Sequence, residues 1–329
     1  MNTLPERYFI VGGAGFIGSH FTDHLLGLAG TEKVTLYDNL SSGRTWHFER
    51  HLADPRFAFV KGEVTDLASL RSAMDGHAVV IHLASNPDIA RAAKEPTIDF
   101  DQGTALTQNV VEAMRTTSAR RILYASGSGV YGDIGSTEAR EDMGPMVPVS
   151  TYGASKLAGE VLVSAYSYMF DCSGCAFRFG NVVGPRQTHG VGFDFLRKLL
   201  KDPNKLTILG NGTQSKSYIH VTDVVQAVLT AHRTTTEPFR AYNVATGDYI
   251  TVREIAGLAI ECLGLDPAKV ELDFLGGDRG WKGDVPIIRL NTDLIQSTGW
   301  KCRKSTREAL RDSLMAMITD GKAGKLWES

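Results

Sequence analysis

Short apolar runs alternate with amphipathic stretches along the first 180 or so residues of the chain. The apolar runs predict strands at Tyr8–Val11, Val34–Tyr37, Phe57–Val60, Ala78–His82, Arg121–Tyr124 and Gly174–Phe177. The stretches between them have helical spacing and predict helices over Phe16–Leu28, Leu67–Met74, Thr97–Arg115 and Thr151–Met169. Strands and helices that alternate in this way predict an α/β fold with a doubly wound parallel sheet.

The pattern changes after Gly184-Pro185, where turn pairs such as Gly276-Gly277 separate shorter elements. This change predicts a smaller C-terminal α/β domain that binds substrate. The apolar run that holds Asn243 is expected to return to the main sheet, so the two domains interleave. We expect the main-sheet domain to comprise residues 1–182 plus about 222–248, and the substrate domain residues 183–221 and 249–329.

A glycine-rich turn joins the first predicted strand to the first predicted helix. Gly12 suits the tight turn, Gly15 lets backbone N–H groups approach a phosphate, and Gly18 lets the helix pack close to the sheet. The helix that begins near Phe16 and Ile17 adds the positive end of its dipole. The turn therefore predicts a site for a dinucleotide pyrophosphate in a Rossmann-type domain.

The second predicted strand ends in Asp38, 20 residues after the last glycine of the turn. A carboxylate at this spacing accepts hydrogen bonds from the adenosine ribose hydroxyls. The residues that follow, including Asn39, Ser42 and Gly43, contain no arginine before Arg44. Because Asp38 would repel a 2′-phosphate, the predicted cofactor is NAD rather than NADP.

Composition narrows the classes of function that fit. The 329 residues carry 35 Lys and Arg against 37 Asp and Glu, and the basic residues form no stripe. A nucleic-acid partner is therefore not expected. No apolar run reaches the roughly 18 residues of a membrane span, and the first strand begins too early for a signal peptide. We expect a cytoplasmic protein with no membrane partner.

The four cysteines are too few for a disulfide scaffold in a chain of this length. Cys172 and Cys175 have CxxC spacing, but no second pair accompanies them. Two reduced thiols are therefore expected, without zinc or redox chemistry. His82 and His220 stand in apolar segments and are expected to be packing residues, so no metal site is predicted.

A second motif, YGASK (Tyr152–Lys156), begins the last predicted helix of the main sheet. Tyr152 and Lys156 are four residues apart, which places their side chains on one helix face. A free tyrosine has a pKa near 10, but a nearby ammonium favours its phenolate. Beside a nicotinamide cofactor, such a pair can remove a proton from a sugar or alcohol hydroxyl while hydride is transferred.

With these motifs, the chain resembles the extended short-chain dehydrogenase/reductases of the NDP-sugar epimerase/dehydratase family, in the pattern of UDP-glucose 4-epimerase-like members. The resemblance covers nearly the whole chain. It is carried by GGAGFIGSH (Gly12–His20), YDNLSSG (Tyr37–Gly43), HLAS (His82–Ser85), SGVYG (Ser128–Gly132), YGASK, RFGNVVGPR (Arg178–Arg186), SYIHVTDV (Ser217–Val224) and GDVP (Gly283–Pro286). It implies an NAD that is held throughout turnover and a nucleotide-diphosphate sugar as substrate.

The resemblance also implies positions for residues on the cofactor side. Glu63 and Val64 would lie beside the adenine. Leu83, Ala84 and Ser85 would line the nicotinamide side. These five residues complete the expected cofactor site.

On the substrate side, the resemblance implies that Asn181 touches the diphosphate and that Lys216 and Arg279 bind it as cations. Family members often form dimers through a helix such as the one predicted to hold Thr107–Met114, so a homodimer is expected. The alternative for this apolar run is a helix face that packs on its own sheet.

Four positions depart from the family pattern. The catalytic Ser or Thr three residues before Val-Tyr-Gly is Gly127 here. Flanking glycines let the chain turn Ser128 inward, so Ser128 is the expected hydroxyl donor, with Ser126 in reserve and water as the remaining alternative. The other departures are Glu63 for Asp, Lys216-Ser217 for Arg-Asp and Gly103 for Asn.

The same loop indicates the reaction. Dehydratase members resemble Thr-Asp-Glu at this point and decarboxylating members carry Glu before the Val, whereas this chain has Ser128-Gly129 and no carboxylate. We therefore predict an isomerase, an NDP-sugar epimerase that acts at C4 through a transient 4-keto sugar, with Tyr152 as base. The alternatives are epimerisation at C2, or of a hexuronate or heptose, by the same machinery, and a non-catalytic NAD-binding protein.

Overall fold

Strands and helices alternate in the structure, a computed structural model that describes residues 6–326. In that range the strands are β1 (Glu6–Val11), β2 (Thr31–Asp38), β3 (Phe57–Lys61), β4 (Val79–His82), β5 (Arg121–Gly127), β6 (Glu138–Ala139), β7 (Ser173–Phe179), β8 (Asn181–Val183), β9 (Lys205–Ile208), β10 (Ser215–Lys216), β11 (Tyr218–His220), β12 (Phe239–Val244), β13 (Ile250–Thr251), β14 (Glu271–Phe274) and β15 (Arg289–Leu290). The α-helices are α1 (Phe16–Leu26), α2 (Leu67–Met74), α3 (Ala105–Arg115), α4 (Thr151–Met169), α5 (Val191–Lys201), α6 (Val221–Thr234), α7 (Val252–Cys262), α8 (Asp293–Ser297) and α9 (Thr306–Lys322). Short 3₁₀ helices cover Thr45–His47, Glu49–His51, Ile89–Ala93, Ser128–Tyr131 and Pro267–Lys269, and a π-helical turn covers Phe100–Thr104.

The chain divides into two compact units. The first unit comprises the residues up to Val130, Thr151–Arg178 and Val225–Tyr242. The second comprises Tyr131–Ser150, Phe179–Val224 and the residues from Asn243 onward. The division predicted from the sequence differs from this one chiefly at 131–150. The predicted division assigns residues to cofactor binding or to substrate binding, not to compact units. This assignment stays a prediction.

The first unit is built on a seven-stranded sheet with the order β12-β7-β5-β4-β1-β2-β3. The neighbours β1–β2, β1–β4, β2–β3 and β4–β5 are parallel. The strand order changes direction between β1 and β4, which is where ligands bind in open α/β sheets. The predicted doubly wound α/β sheet is confirmed, and the run that holds Asn243 returns to it as β12.

The core of the first unit explains why its strands are so apolar. Phe9, Ile10 and Val11 of β1 are fully buried, as expected for strands covered by helices on both faces. The apolar face of α3, including Val110 and Met114, packs into the same core. This face therefore lies on its own sheet, which is the alternative that the sequence left open for it.

The start of α3 differs from the prediction. The helix predicted over Thr97–Arg115 begins as a π-helical turn, and regular α-helix starts only at Ala105. Gly103 lies in this turn, and a larger residue would not fit there, because a Cβ would stand 2.0 Å from Ser155 Oγ. By contrast, α4 has the predicted bounds, Thr151–Met169.

The second unit is a smaller α/β assembly of paired short strands and helices. The pairs β8–β11, β9–β14 and β6–β15 are parallel, and β10–β13 is antiparallel. Capping boxes begin two of its helices, with Thr251 and Glu254 at α7 and Ser305 and Glu308 at α9. None of the helices between residues 6 and 326 is long and apolar enough to cross a membrane.

Candidate active site

The glycine turn lies at the carboxyl end of β1, where the strand order of the sheet reverses. Gly12 has a φ of 76°, and a Cβ there would stand 2.7 Å from the Ala84 backbone nitrogen. Only glycine tolerates both the conformation and the approach. The helix α1 begins after Gly15 without any side-chain cap, so its first N–H groups remain available to an anion.

Asp38 ends β2 beside this turn. Its carboxylate accepts hydrogen bonds from the backbone N–H groups of Ala14 at 3.0 Å and Leu40 at 2.8 Å. Burial raises the pKa of Asp38, and these two donors act in the opposite direction. The backbone of Gly43 packs closely against the Asp38 carboxylate, since a Cβ at Gly43 would stand 2.8 Å from Asp38 Oδ1. Each carboxylate oxygen keeps a lone pair for a further donor.

The remaining residues predicted on the cofactor side lie at neighbouring strand ends of the first unit. Asn39 Nδ2 donates to Glu63 Oε2 at 3.0 Å, which joins the turns after β2 and β3. Leu83 and Ala84 follow β4, and both of their N–H groups donate to the Val11 carbonyl oxygen, at 2.9 and 3.1 Å. These cofactor-side residues therefore lie in the turns after β1 through β4, and their contacts with a cofactor stay a prediction.

Tyr152 and Lys156 occupy the first turns of α4, as their spacing predicts. Lys156 is 5% exposed, its Nζ donates to the Ala125 carbonyl oxygen at 2.8 Å, and Nζ lies 5.5 Å from the centre of the Tyr152 ring. Burial lowers the pKa of Lys156 to about 8. Burial also raises the pKa of Tyr152 to about 12, so the phenol is neutral at pH 7 in the protein alone.

Two further groups act on this pair. Besides burial, the Ser85 side chain lowers the pKa of Tyr152 and the charge of Asp99 raises it. Asp99 is 1% exposed and accepts hydrogen bonds from Asn86 Nδ2 at 2.9 Å and Thr151 Oγ1 at 2.6 Å. No motif or spacing in the sequence pointed to Asp99, because its position depends on the π-helical turn.

The two predicted serines lie on either side of Gly127, the last residue of β5. Ser126 is buried, and its Oγ donates to Glu160 Oε1 at 2.5 Å. Glu160 is itself paired with Arg178, whose Nη2 lies 2.8 Å from Oε2. Ser128 is half-buried and begins the 3₁₀ turn Ser128–Tyr131. Sequence reasoning missed Glu160, although it stands one turn after the lysine of YGASK on the same helix.

The cations predicted to bind phosphate lie in the second unit, and each has a carboxylate partner. Lys216 Nζ lies 2.6 Å from Oδ1 of buried Asp284, and Arg279 Nη2 lies 2.6 Å from Asp133 Oδ2. Asn181 donates to the Ser217 carbonyl oxygen at 3.3 Å. The aspartates were not predicted, although Asp284 belongs to the GDVP motif.

The histidines expected to be packing residues are buried. His82 Nε2 lies 3.1 Å from Thr107 Oγ1, and His220 Nδ1 lies 2.7 Å from Thr222 Oγ1. Cys172 and Cys175 are free thiols. The part of the chain that the structure describes holds no group of three or more His, Cys, Asp or Glu side chains that could bind a metal.

Known proteins resemble this chain over most of its length. A sequence model of the NAD dependent epimerase/dehydratase family matches residues 8–245. A UDP-glucose 4-epimerase of Mycolicibacterium smegmatis is 34% identical over 312 residues, which cover 92% of this chain and 96% of the relative. A dTDP-glucose 4,6-dehydratase of Streptomyces griseus is 30% identical and covers 90% and 94%. A crystal structure of a UDP-galactose 4-epimerase is 35% identical, with a TM-score of 0.83 and coverage of 95% and 99%.

Proposed function

The chain belongs to the NAD-dependent epimerase/dehydratase family, and from this premise we propose that it is a nucleotide-sugar epimerase acting at C4. One observation carries the proposal. Tyr152 and Lys156 lie together at the start of α4, and the loop Ser126–Gly129 beside them contains no carboxylate. Reversible oxidation at one carbon needs a base and hydroxyl donors, whereas elimination of water also needs a positioned acid.

NAD is the family's cofactor, and the residues around the glycine turn fit it. The uncapped N-terminus of α1 suits the pyrophosphate, and Asp38 retains lone pairs for ribose hydroxyls. When bound, NAD accepts a hydride and returns it, so the reaction is redox-neutral overall. The residues we propose to hold it are Gly12, Gly15, Phe16, Ile17, Gly18, Asp38, Asn39, Ser42, Gly43, Glu63, Val64, Leu83, Ala84, Ser85, Tyr152 and Lys156.

Tyr152 is the proposed base. It takes the proton of the sugar 4-hydroxyl and later returns it to the oxygen of the 4-keto sugar. A neutral phenol is a poor base, so positive charge near Tyr152 is needed to favour phenolate. Lys156 supplies part of that charge below its pKa of about 8. Its ammonium uses one donor on the Ala125 carbonyl and keeps two for the cofactor ribose.

We propose that the substrate is a nucleotide-diphosphate sugar. Its proposed contacts are Ser128, Tyr152, Asn181, Lys216 and Arg279. Lys216 and Arg279 can keep their aspartate partners while they bind phosphate, because an ammonium has three donors and a guanidinium five. UDP is the nucleotide to test first, since one relative is named as a UDP-glucose 4-epimerase.

The test is an incubation of the purified protein with UDP-glucose, UDP-N-acetylglucosamine, UDP-glucuronate and dTDP-glucose, with no NAD added. Inversion at C4, followed by NMR, is the expected result, together with NAD in the denatured supernatant. Tyr152→Phe should lower turnover about 100-fold or more while NAD stays bound, and Tyr168→Phe, exposed on the same helix, is the matched control. Loss of water from the sugar, inversion at C2, or NADP as the bound nucleotide would contradict the proposal.

A homodimer is part of the proposal. Phe100, Val161 and Met169 are 62%, 60% and 72% exposed, and the π-helical turn that holds Phe100 packs against α4. Large exposed apolar side chains on neighbouring elements are typical of a protein–protein interface. Val161→Glu should yield a monomer in light scattering, whereas Leu52→Glu, at an equally exposed apolar position, should not. A monomeric parent protein would contradict the dimer.

We also propose a cytoplasmic location. All four cysteines are free thiols, which suits a reducing compartment. Fractionation of the source cells, with an antibody to the protein, tests this location directly. Recovery in an extracytoplasmic fraction would contradict it.

A further inference from the structure

One face of α4 is joined to the end of β5 by two buried hydrogen bonds. Lys156 and Glu160 are four residues apart on this helix, so their side chains lie on the same face. Lys156 Nζ donates to the Ala125 carbonyl oxygen at 2.8 Å. One turn further along, Glu160 Oε1 accepts from Ser126 Oγ at 2.5 Å. Two successive residues of the strand are thus bound to two successive turns of the helix.

The last three residues of β5 extend beyond one of the strands beside them. The pairing of β5 with β4 ends at Tyr124, so no bond of that ladder holds the residues that follow. Gly127 ends the strand, and a Cβ there would meet no atom within 4 Å. Ser126 therefore carries the last side chain of β5, and its hydrogen bond to Glu160 fixes the strand end against α4.

The carboxylate that receives the Ser126 hydroxyl is itself held by an ion pair with Arg178 of β7. Arg178 Nε lies 3.0 Å from Glu160 Oε1, and Nη2 lies 2.8 Å from Oε2, so the guanidinium binds both oxygens. All three side chains are buried. Charge-assisted hydrogen bonds of this kind are strong where water does not compete. The Arg178–Glu160 ion pair therefore gives the carboxylate one fixed position.

Stability alone does not explain a charged pair at this position. Removing two charges from water costs free energy that their attraction often fails to return, and apolar side chains of similar volume are frequently as stable. The proposed reaction, by contrast, needs the Lys156 ammonium in a defined orientation. One of its three donors is on the Ala125 carbonyl oxygen, so the position of that oxygen sets the direction of the two donors proposed for the cofactor ribose.

We infer that the Arg178–Glu160 ion pair and Ser126 are positioning residues for Lys156. The ion pair holds the Ser126 hydroxyl, and Ser126 in turn fixes the neighbouring carbonyl group that binds the ammonium. The catalytic consequence rests on the proposed function, in which Lys156 serves Tyr152. Ser126 thereby has a role other than that of a reserve hydroxyl donor, because its one proton is donated to a buried carboxylate.

The first test removes the ion pair without leaving a buried charge behind. In the double variant Glu160→Leu/Arg178→Met, apolar side chains should keep the midpoint of denaturant unfolding at or above the parental one. The kcat should nevertheless fall about 10- to 100-fold, as expected when a catalytic group is displaced by about 1 Å, and less NAD should remain bound after purification. A double variant with parental stability and parental kcat would overturn the inference, because the pair would then serve only the fold.

The second test keeps the ion pair and cuts only its connection to β5, so it decides the question even if the double variant fails to fold. Lysine labelled with ¹³C at Cε gives one signal per lysine, and Lys156→Met identifies the Lys156 signal. With NAD at saturation, Ser126→Ala should shift that signal and lower kcat about tenfold, in line with the loss of a hydrogen bond to a charged group. The matched control is Ser167→Ala, since Ser167 is a buried serine of α4 whose hydroxyl donates to the Val163 carbonyl oxygen at 2.8 Å. It should change neither quantity.

The Lys156 signal also separates this inference from the proposed function. If the signal moves in Ser126→Ala but not in Ser167→Ala, and the parent protein epimerises no sugar, the proposed function fails and the positioning of Lys156 stands. An identical Lys156 signal in the parent and in Ser126→Ala would overturn the inference. A loss of kcat with that unchanged signal would mean that Ser126 acts on the substrate instead.

Discussion

At the residue scale, Lys156 is a charged group whose burial opposes folding. Its ammonium is almost fully removed from water, and one backbone carbonyl is its hydrogen-bond acceptor. Asp99 and Glu160 favour its charged form, but burial outweighs them, so its pKa is lowered from 10.5 to about 8. A charged residue at this position therefore lowers the stability of the fold, although the proposed chemistry needs its charge.

We predict that Lys156→Met stabilises the protein without cofactor while it abolishes turnover. Methionine fills a similar volume and needs no hydrogen bond, so the free energy of unfolding at pH 7 should rise by about 2 kcal/mol. Denaturant unfolding of the two NAD-free proteins measures the difference.

The pH dependence of that difference checks its cause. Below pH 8 the lysine is charged in both states, so the full penalty is present. Between about pH 8 and 10.5 the folded lysine is already neutral while the unfolded one still binds a proton, so the parent gains stability as the pH rises. The advantage of Lys156→Met should shrink across this window. An advantage that stays constant up to pH 10 would mean that packing, not charge, causes it.

Some individual residues could be predicted because a local rule places them. Asp38 ends a strand at the distance from the glycine turn that dinucleotide binding requires. Tyr152 and Lys156 lie on one helix face whatever the tertiary arrangement, because they are four residues apart. The hydrogen bonds that Asp99 accepts from Asn86 and Thr151 could not be predicted in this way. They depend on where a π-helical turn and a loop lie in space.

At the element scale, the turn from β1 to α1 accepts only glycine at position 12. We predict that Gly12→Ala destabilises the protein by about 3 kcal/mol, since a positive φ and a collision with the Ala84 backbone both oppose a methyl group. Bound NAD should be lost as well, because the turn approaches the phosphates. Thermal unfolding and the nucleotide content of the purified variant measure the two effects.

A matched substitution tests whether the position matters rather than the residue type. Gly30 lies in the turn before β2, and a Cβ there would meet no atom within 4 Å. Gly30→Ala should leave NAD content unchanged and alter stability by less than about 1 kcal/mol. Equal losses in Gly12→Ala and Gly30→Ala would contradict this account of the turn.

Element types and most boundaries followed from periodicity. The bounds of α4 agree with those predicted, although small and polar residues such as Gly153, Ser155 and Glu160 make up most of its buried face. The start of α3 could not be predicted, since the close approach of Gly103 to Ser155 is a contact between elements. Very short strands such as β6 and β15 could not be predicted from the sequence, for a related reason. Two residues show no periodicity, and only their pairing defines them.

At the scale of the whole molecule, buried neutral histidines make the fold sensitive to acid. The Ala14 carbonyl can only accept, so His47 Nδ1 is the donor in their 2.8 Å hydrogen bond. Thr107 donates to the Gly103 carbonyl, so His82 Nε2 is the donor to Thr107. The other ring nitrogen of each histidine is buried without a hydrogen-bond partner in the described chain. Protonation would place a charge there.

Burial lowers the pKa of His47 to about 4 and that of His82 to about 3, with Lys156 adding to the effect on His82. Between pH 6.5 and these values the unfolded chain binds protons that the folded protein does not. The stability contributed by each histidine is therefore complete above pH 6.5 and is lost as the pH falls, by about 1.4 kcal/mol per pH unit.

We predict that the free energy of unfolding of the parent falls steeply between pH 6.5 and 5, and that His82→Asn makes this dependence shallower by about 1.4 kcal/mol per pH unit. Asparagine cannot take up the proton that the unfolded histidine binds, so the variant is weaker at pH 7 but loses less on acidification. Denaturant unfolding at several pH values measures both slopes. Equal slopes for parent and His82→Asn would show that groups other than this histidine take up the protons that unfold the molecule.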